Sequence, residues 1–286
     1  MYNSFYLSLT QFLCTRHRVC KNSCKKMTTE EIHHKLTPFL TPLAPISLQE
    51  MSSIRLMNRT DTKFLTNLPT LQALLRMVHE DYWIQEIEGE RNMAYNTTYF
   101  DTPDFSMFRI HQSGHTGRQK LRFRTYVSSH LQFMEVKTKN NHGRTRKKRI
   151  SVSDMDLKDQ EKIDFLSRTL RYKAEELSPS LQNSFDRITL VNKGKTERLT
   201  IDTNLQFFNP RTENKVSMGP LVIIELKRDG LYHSPVLDML RKLRIKPHGF
   251  SKYCMGSVFT NQSLQINRFK PRIRDVKRII DNTPKS

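Results

Sequence analysis

An α+β fold, with an antiparallel sheet curled over a charged interior and helices on its outside, is what this sequence predicts. Three observations carry the prediction. Residues 119–127 alternate, so that Lys120, Arg122, Arg124 and Tyr126 share one face of a strand and Leu121, Phe123, Thr125 and Val127 the other. The alternation returns in 131–139, 197–202 and 221–227, each time setting an apolar face against Arg and Lys with an occasional carboxylate. Between the strands lie stretches with leucines at helical spacing. A row of three cations without an acid repels itself unless water screens it or a polyanion binds it. One solvated sheet face explains any single such strand. Its repetition favours a sheet whose charged faces point inward.

Taken in order, residues 28–46 carry Pro38, Pro42 and Pro45 and read as a lead-in. Ser47 or Ser52 caps a short helix running to Met57. Asn67-Leu-Pro69 opens a clearer helix to His79, with Leu71, Leu74, Leu75 and Val78 on one face. Strands follow at 91–101, 118–127, 131–139 and 144–152. The stripe of Ile163, Leu166 and Leu170 predicts a helix over 157–170, and 178–183 reads as a second, short one. Strands resume at 184–192, 196–202 and 220–228, and a helix over 235–243 turns Leu237, Leu240 and Leu243 inward. From Asn267 the chain is basic and aperiodic, which predicts disorder or a docking arm. The organisation is a basic, Cys-containing lead-in over 1–46, one domain over 47–265, and a basic tail over 266–286.

A chain of 286 residues, 36% hydrophobic, can bury one substantial core. With only 9 Gly and no Walker, G-x-G-x-x-G or H-E-x-x-H pattern, phosphate binding has to come from side chains. The 48 basic and 28 acidic residues leave +20, which points to a polyanionic partner. Charge alone leaves nucleic acid, acidic lipid and polyphosphate open. No apolar run approaches the roughly 18–20 residues that span a bilayer. Cys14, Cys20 and Cys24 stand among Arg16, Arg18, Lys21, Lys25 and Lys26 with no acid nearby. The charges follow the apolar stretch, which argues against a secretory signal. The composition fits a transit peptide, and the lack of C-x-x-C spacing argues against zinc. A start at Met27 is the simplest expectation. Cys254 reads as a packing residue, and without a disulfide framework a reducing compartment is the default.

A series of motifs then carries a resemblance. It comprises Arg59-Thr-Asp-Thr-Lys63-Phe64, Tyr99-Phe-Asp-Thr-Pro-Asp104, the His111…Gly114 turn into Lys120-Leu-Arg-Phe-Arg124, and Glu135-Val-Lys137. Asp186-Arg187, Arg198-Leu-Thr-Ile-Asp202, Ile224-Glu-Leu-Lys227 and Phe250-Ser-Lys-Tyr253 complete it. In order, from about Ser47 to Tyr253, these resemble the polyphosphate polymerase domain of the vacuolar transporter chaperone family, one of the triphosphate tunnel (CYTH-like) metalloenzymes. The thiamine-triphosphatase and cyclase branches open with Glu-x-Glu-x-Lys. Arg59-Thr-Asp-Thr-Lys63 stands there in this chain, which favours the polymerase branch.

The resemblance implies an antiparallel β-barrel, the triphosphate tunnel, with flanking helices. It implies transfer of the γ-phosphate of ATP to a growing polyphosphate chain, with ADP released and Mn2+ or Mg2+ as cofactor. Phosphoryl transfer is mostly positioning and charge stabilisation, and a partly dehydrated triphosphate needs several cations. Lys63, Arg122, Arg124, Lys137, Arg187 and Lys252 are placed there by the resemblance. Lys120, Lys139, Arg198 and Lys227 follow by strand face. Glu225, an acid on a face of cations, is the candidate metal ligand; Glu135 is a second, with an ion pair as its plainer explanation. The implied partners are ATP, polyphosphate and a separate membrane protein for export, with no specific nucleic acid. The expected location is cytoplasmic, membrane-associated through that partner. A tunnel-type triphosphatase and a catalytically silent polyanion-binding subunit remain as alternatives. His111 and His115 would share a metal only on a helix, and a loop is expected there. The run Arg144-Thr-Arg-Lys-Lys-Arg149 reads as a hairpin partner at the tunnel rim, and Tyr82 and Trp83 as packing residues.

Overall fold

A computed structural model describes residues 7–8, 27–52, 54, 59–140, 145–230 and 232–283. Its strands are β1 (Leu7–Ser8), β2 (Pro45–Ile46), β3 (Arg59–Asn67), β4 (Tyr82–Gln85), β5 (Met93–Asp101) and β6 (Gln119–Tyr126). They continue as β7 (Gln132–Lys139), β8 (Thr145–Ser151), β9 (Ser178–Asn192), β10 (Glu197–Phe208), β11 (Lys215–Ser217) and β12 (Leu221–Asp229). The helices are α1 (Thr29–Leu40), α2 (Leu48–Ser52), α3 (Leu68–Met77), α4 (Ser106–Gln112), α5 (Gln160–Thr169), α6 (Pro235–Lys242), α7 (Lys252–Thr260) and α8 (Lys270–Asp281).

All strands join one sheet. Its main run is antiparallel in the order β3-β12-β10-β9-β5-β6-β7-β8. Two short parallel pairs, β1 with β11 and β2 with β4, add to it. The expected barrel does not close. The free edge of β3 is met instead by the segment before α7, where His248 N donates to Lys63 O at 2.7 Å and Pro247 bridges Phe64. β8 pairs with β7 and, among the described residues, with no other strand. The result is a curled, open sheet with helices against it.

The outer face buries two apolar layers. Phe64, Ile188, Leu190, Leu199, Ile201, Val222, Ile224 and Leu226 pack beneath α1, α3 and α6. Leu121, Phe123, Met134 and Val136 pack beneath Phe165 and Leu166 of α5. The inner face carries a third layer at one end, where Leu181, Phe185, Leu205 and Phe207 meet α7 and α8. There Gly256 brings the α7 backbone so close that a Cβ would lie 2.5 Å from Leu181 and Phe207 side-chain carbons.

Several expectations are corrected. Residues 28–46 are not a loose lead-in: Thr28 and Glu31 form a capping box and α1 buries Ile32, Leu36 and Leu40, with Pro38 inside the helix. Residues 178–183 are the start of β9, because Pro179 is tolerated near the beginning of a strand. The tail forms α8, seated by Phe269 and Val276 against the inner layer. α4 and α7 were not anticipated. The end of the expected helix running to Met57 lies outside the described residues, as do Arg144 and most of the first 26 residues.

Candidate functional site

Strand alternation and register place the candidate side chains. On the inner face, Lys63 (β3) stands opposite Glu225 (β12), which stands opposite Thr200 (β10) and then Thr189 (β9). One step along, Lys227 opposes Arg198, and on the other side Asp202 opposes Arg187. Across the sheet, Arg122 opposes Glu135 and Lys120 opposes Lys137, with Lys147 beyond it on β8. All six leading candidates therefore share this face or reach it. Lys252 is the exception in origin: it sits at the first turn of α7, with Ser251 as N-cap. That turn reaches both flanks of the trough. Ser251 Oγ accepts from Lys120 Nζ on β6 at 3.0 Å, while Lys252 Nζ bonds Asp202 on β10.

Four carboxylates were not singled out equally by sequence, and they organise the cations differently. Asp202 holds Arg187 in a bidentate pair at 2.6 and 2.8 Å and also takes Lys252. Glu135 accepts Nε and a terminal nitrogen of Arg122 at 2.7 and 2.5 Å, with Lys147 at 3.3 Å. That ion pair is the plainer of the two readings of Glu135. Glu225 receives Lys63 at 2.8 Å and Lys227 at 3.2 Å, both on Oε1. Asp101 serves the scaffold: it accepts from the Met107 and Phe108 amides at the start of α4 and from Tyr253 OH. That accounts for its place in the Tyr99–Asp104 motif.

Arg124 stands apart. It is 8% exposed and its Nε is buried without a hydrogen-bond partner. Its guanidinium lies over Tyr95 and Phe185 at 5.6 and 5.8 Å. Phe185 is also faced by Arg187 at 5.2 Å and Lys252 at 3.7 Å, so three cations converge on one ring. The titration of these groups records the crowding. Burial, then Arg122 and Arg187, push Arg124 down to about 10. Burial pushes Lys252 down to about 7, although Asp202 pulls it back. Lys137 falls well below its ordinary value through Arg122 first and burial second, and it also feels Glu225 from the far side of the sheet. That last coupling is what a curled sheet produces. Burial would raise Glu135 and Glu225, but the neighbouring cations outweigh it and hold Glu135 at about 2 and Glu225 well below the carboxylate range.

The remaining candidates lie at the rims. Arg198 is half-buried beside Lys227, and Lys139 ends β7 beside the start of β6, where it contributes with Lys120, Arg118 and Arg272 to keep His111 neutral, burial being the larger cause. α4 ends at Gln112, so His111 and His115 do not share a helical face. Sequence reasoning passed over Asp202 as a partner, Ser251 as a cap, and Lys147 and Arg149 as inner-face residues. Asp202 carried a signal in the alternation of 197–202, which sets it on the charged face, whereas 145–149 is polar throughout and only its pairing with β7 assigns Lys147 and Arg149 to the inner face. Tyr82 and Cys254 are fully buried, Tyr82 bonded to Glu197, in keeping with packing roles. Among the described residues no group of three or more His, Cys, Asp or Glu could hold a metal by itself. No helix of the described residues is long and apolar enough to cross a membrane.

The fold and site thus define an α+β protein with an open, cation-lined trough. The chain belongs to the VTC domain family, which it matches over residues 58–261. No curated protein matches it. Among solved structures it is similar to HpAC1 from Hippeastrum, described as having a dominant triphosphatase activity: 12% identity, TM-score 0.42, 71% of this chain and 97% of that one. PH1012 of Pyrococcus horikoshii OT3 is 12% identical at a TM-score of 0.39, covering 68% and 98%. The Pct1 RNA triphosphatase of S. pombe is 9% identical at 0.28, covering 93% and 95%.

Proposed function

We propose that this chain is a polyphosphate polymerase. A terminal oxygen of the growing chain attacks the γ-phosphorus of ATP, the bond to the β-phosphate oxygen breaks, ADP leaves and the polymer lengthens by one phosphate. The attacking oxygen is already anionic, so no general base is required, in contrast to attack by water. The observation that supports this best is Arg124, a buried guanidinium with an unpartnered Nε among Arg122, Arg187 and Lys252. A phosphoryl oxygen is the partner that such a donor lacks.

In this reading Arg122, Arg124, Lys137, Arg187 and Lys252 grip the phosphates, and Lys63 and Lys227 shift from Glu225 toward them. Lys120, Lys139 and Arg198 extend the cationic path. A divalent ion, Mn2+ or Mg2+, would be held by Glu225, whose two lysine contacts both fall on Oε1, in a site shared with the phosphates. Its remaining ligands would be phosphate oxygens and water, and it would neutralise charge developing between the β- and γ-phosphates. ATP and polyphosphate are the proposed partners, and export would rest on a separate membrane protein.

The test is incubation of the purified chain with ATP and Mn2+, following ADP and polymer together. ADP with a phosphate ladder is expected. Free phosphate without polymer would replace the reading with a triphosphatase, and binding without turnover would make this a polyanion-holding subunit.

A further inference from the structure

The basic run ending at Arg149 does not act on one face. Lys147 and Arg149 point into the trough, but Arg146 and Lys148 alternate to the outer face of β8, away from the cations described above. There they border a cavity of about 200 Å3 between the sheet and the end of α5, together with Arg168 and Thr138, floored by Val136. No carboxylate lines it. Among the described residues neither Arg146 nor Lys148 makes an ion pair, and Arg168 spends only Nε, on Asp164 O at 3.0 Å.

The polar floor is arranged by a buried amide. Gln119 Nε2 donates to Thr138 Oγ1 at 3.0 Å and to Thr169 O at 2.9 Å, while Gln119 Oε1 accepts from Arg171 N at 2.9 Å. The Thr138 hydroxyl thus receives a bond from below and has its own proton left to donate into the cavity. The C-terminal carbonyls of a helix oppose an anion, but here the Thr169 carbonyl is taken up by Gln119. Three cations, a hydroxyl donor and no acid suit a compact phosphoryl anion.

We propose that this cavity is a second anion site, outside the trough, for a ligand of pyrophosphate class. It does not rest on the polymerase reading. Backbone amide resonances of the full chain, titrated with pyrophosphate at fixed ionic strength, test it. Thr138, Arg146 and Thr169 are expected to shift, saturably, and Lys148→Ala should weaken that response about fivefold, the order expected for one partly exposed charge. Lys148→Glu should abolish it while leaving turnover and the response of trough residues such as Thr189 unchanged. Sulfate producing the same shifts at equal concentration, or shifts that survive Lys148→Glu, would overturn the proposal. An ADP titration separates sources: an equal response means that the diphosphate alone is read, and a stronger one that a nucleotide is. Movement of the outer resonances with a silent trough would refute the trough reading while sustaining this one.

Discussion

Replacing Arg124 with Met should make the protein more stable and less able to hold phosphate. Arg124 is 8% exposed, keeps a partnerless Nε, and is driven from the usual 12.5 down to about 10 by burial and by Arg122 and Arg187. A base whose pKa falls on folding destabilises the fold fully below its folded value, and the effect fades as pH rises toward 12.5. Two and a half decades at about 1.36 kcal/mol each put that cost on the order of 3 kcal/mol at neutral pH. The contacts over Tyr95 and Phe185 offset it by about 0.5–1 kcal/mol each. A net gain of about 1–2 kcal/mol remains, which at roughly 2–4 °C per kcal/mol raises Tm by about 2–8 °C. Differential scanning fluorimetry in phosphate-free buffer measures this directly. Tripolyphosphate at about a hundred times its Kd should stabilise the wild type by about 2.7 kcal/mol and Arg124→Met far less, and the variant should make no polymer. A variant that melts below the wild type without ligand would refute the reasoning, because Arg124 would then be a stabilising residue rather than an unpaired charge awaiting one.

Other perturbations probe the same network. Lys252, lowered to about 7, is largely neutral at pH 8 and gains its proton when a phosphate arrives; tripolyphosphate binding at pH 8 should take up close to one proton, and little at pH 6. Calorimetry in buffers of different ionisation enthalpy reads this, and buffer-independent heats at pH 8 would contradict it. Asp202→Asn strands Arg187 and Lys252 in the interior and should cost about 3–5 kcal/mol in urea unfolding, part of it restored by tripolyphosphate. Glu225→Gln should raise the metal concentration needed for half-maximal turnover; a flat metal titration in the wild type would remove Glu225 from the site. Gly256→Ala should destabilise by about 1–3 kcal/mol, since its Cβ would meet Leu181 and Phe207 at 2.5 Å; an unchanged Tm would mean that α7 is not seated as described.

The strands were legible because burial on one face writes a period of two into the sequence, and β6, β7, β10 and β12 fall where that period runs. α3 and α5 were legible for the same reason at helical spacing. α7 was not, since Tyr253 to Thr260 is buried all round and has no polar face to reveal a period. α1 hid behind Pro38, whose ordinary meaning is a break. Within the site, alternation assigned faces and so grouped the cations. It could not show that Asp202 ties β9 to α7, or that Arg124 keeps a buried Nε unspent. Those follow from register and helix placement, which join residues far apart in the chain.

An open sheet has two ends, and each invites another chain to pair with it. On β3 the segment through His248 occupies that position. On β8 the outermost backbone is protected by composition: Arg146, Lys147, Lys148 and Arg149 put charge on both sides of the strand. A second copy approaching edge to edge would set cation against cation, which is how soluble sheets resist fibrous self-association. Neutralising those four positions should therefore affect more than ligand capture. It would turn an open sheet edge into a template for aggregation, so the same run of residues that borders the trough and the outer cavity also guards the edge of the sheet.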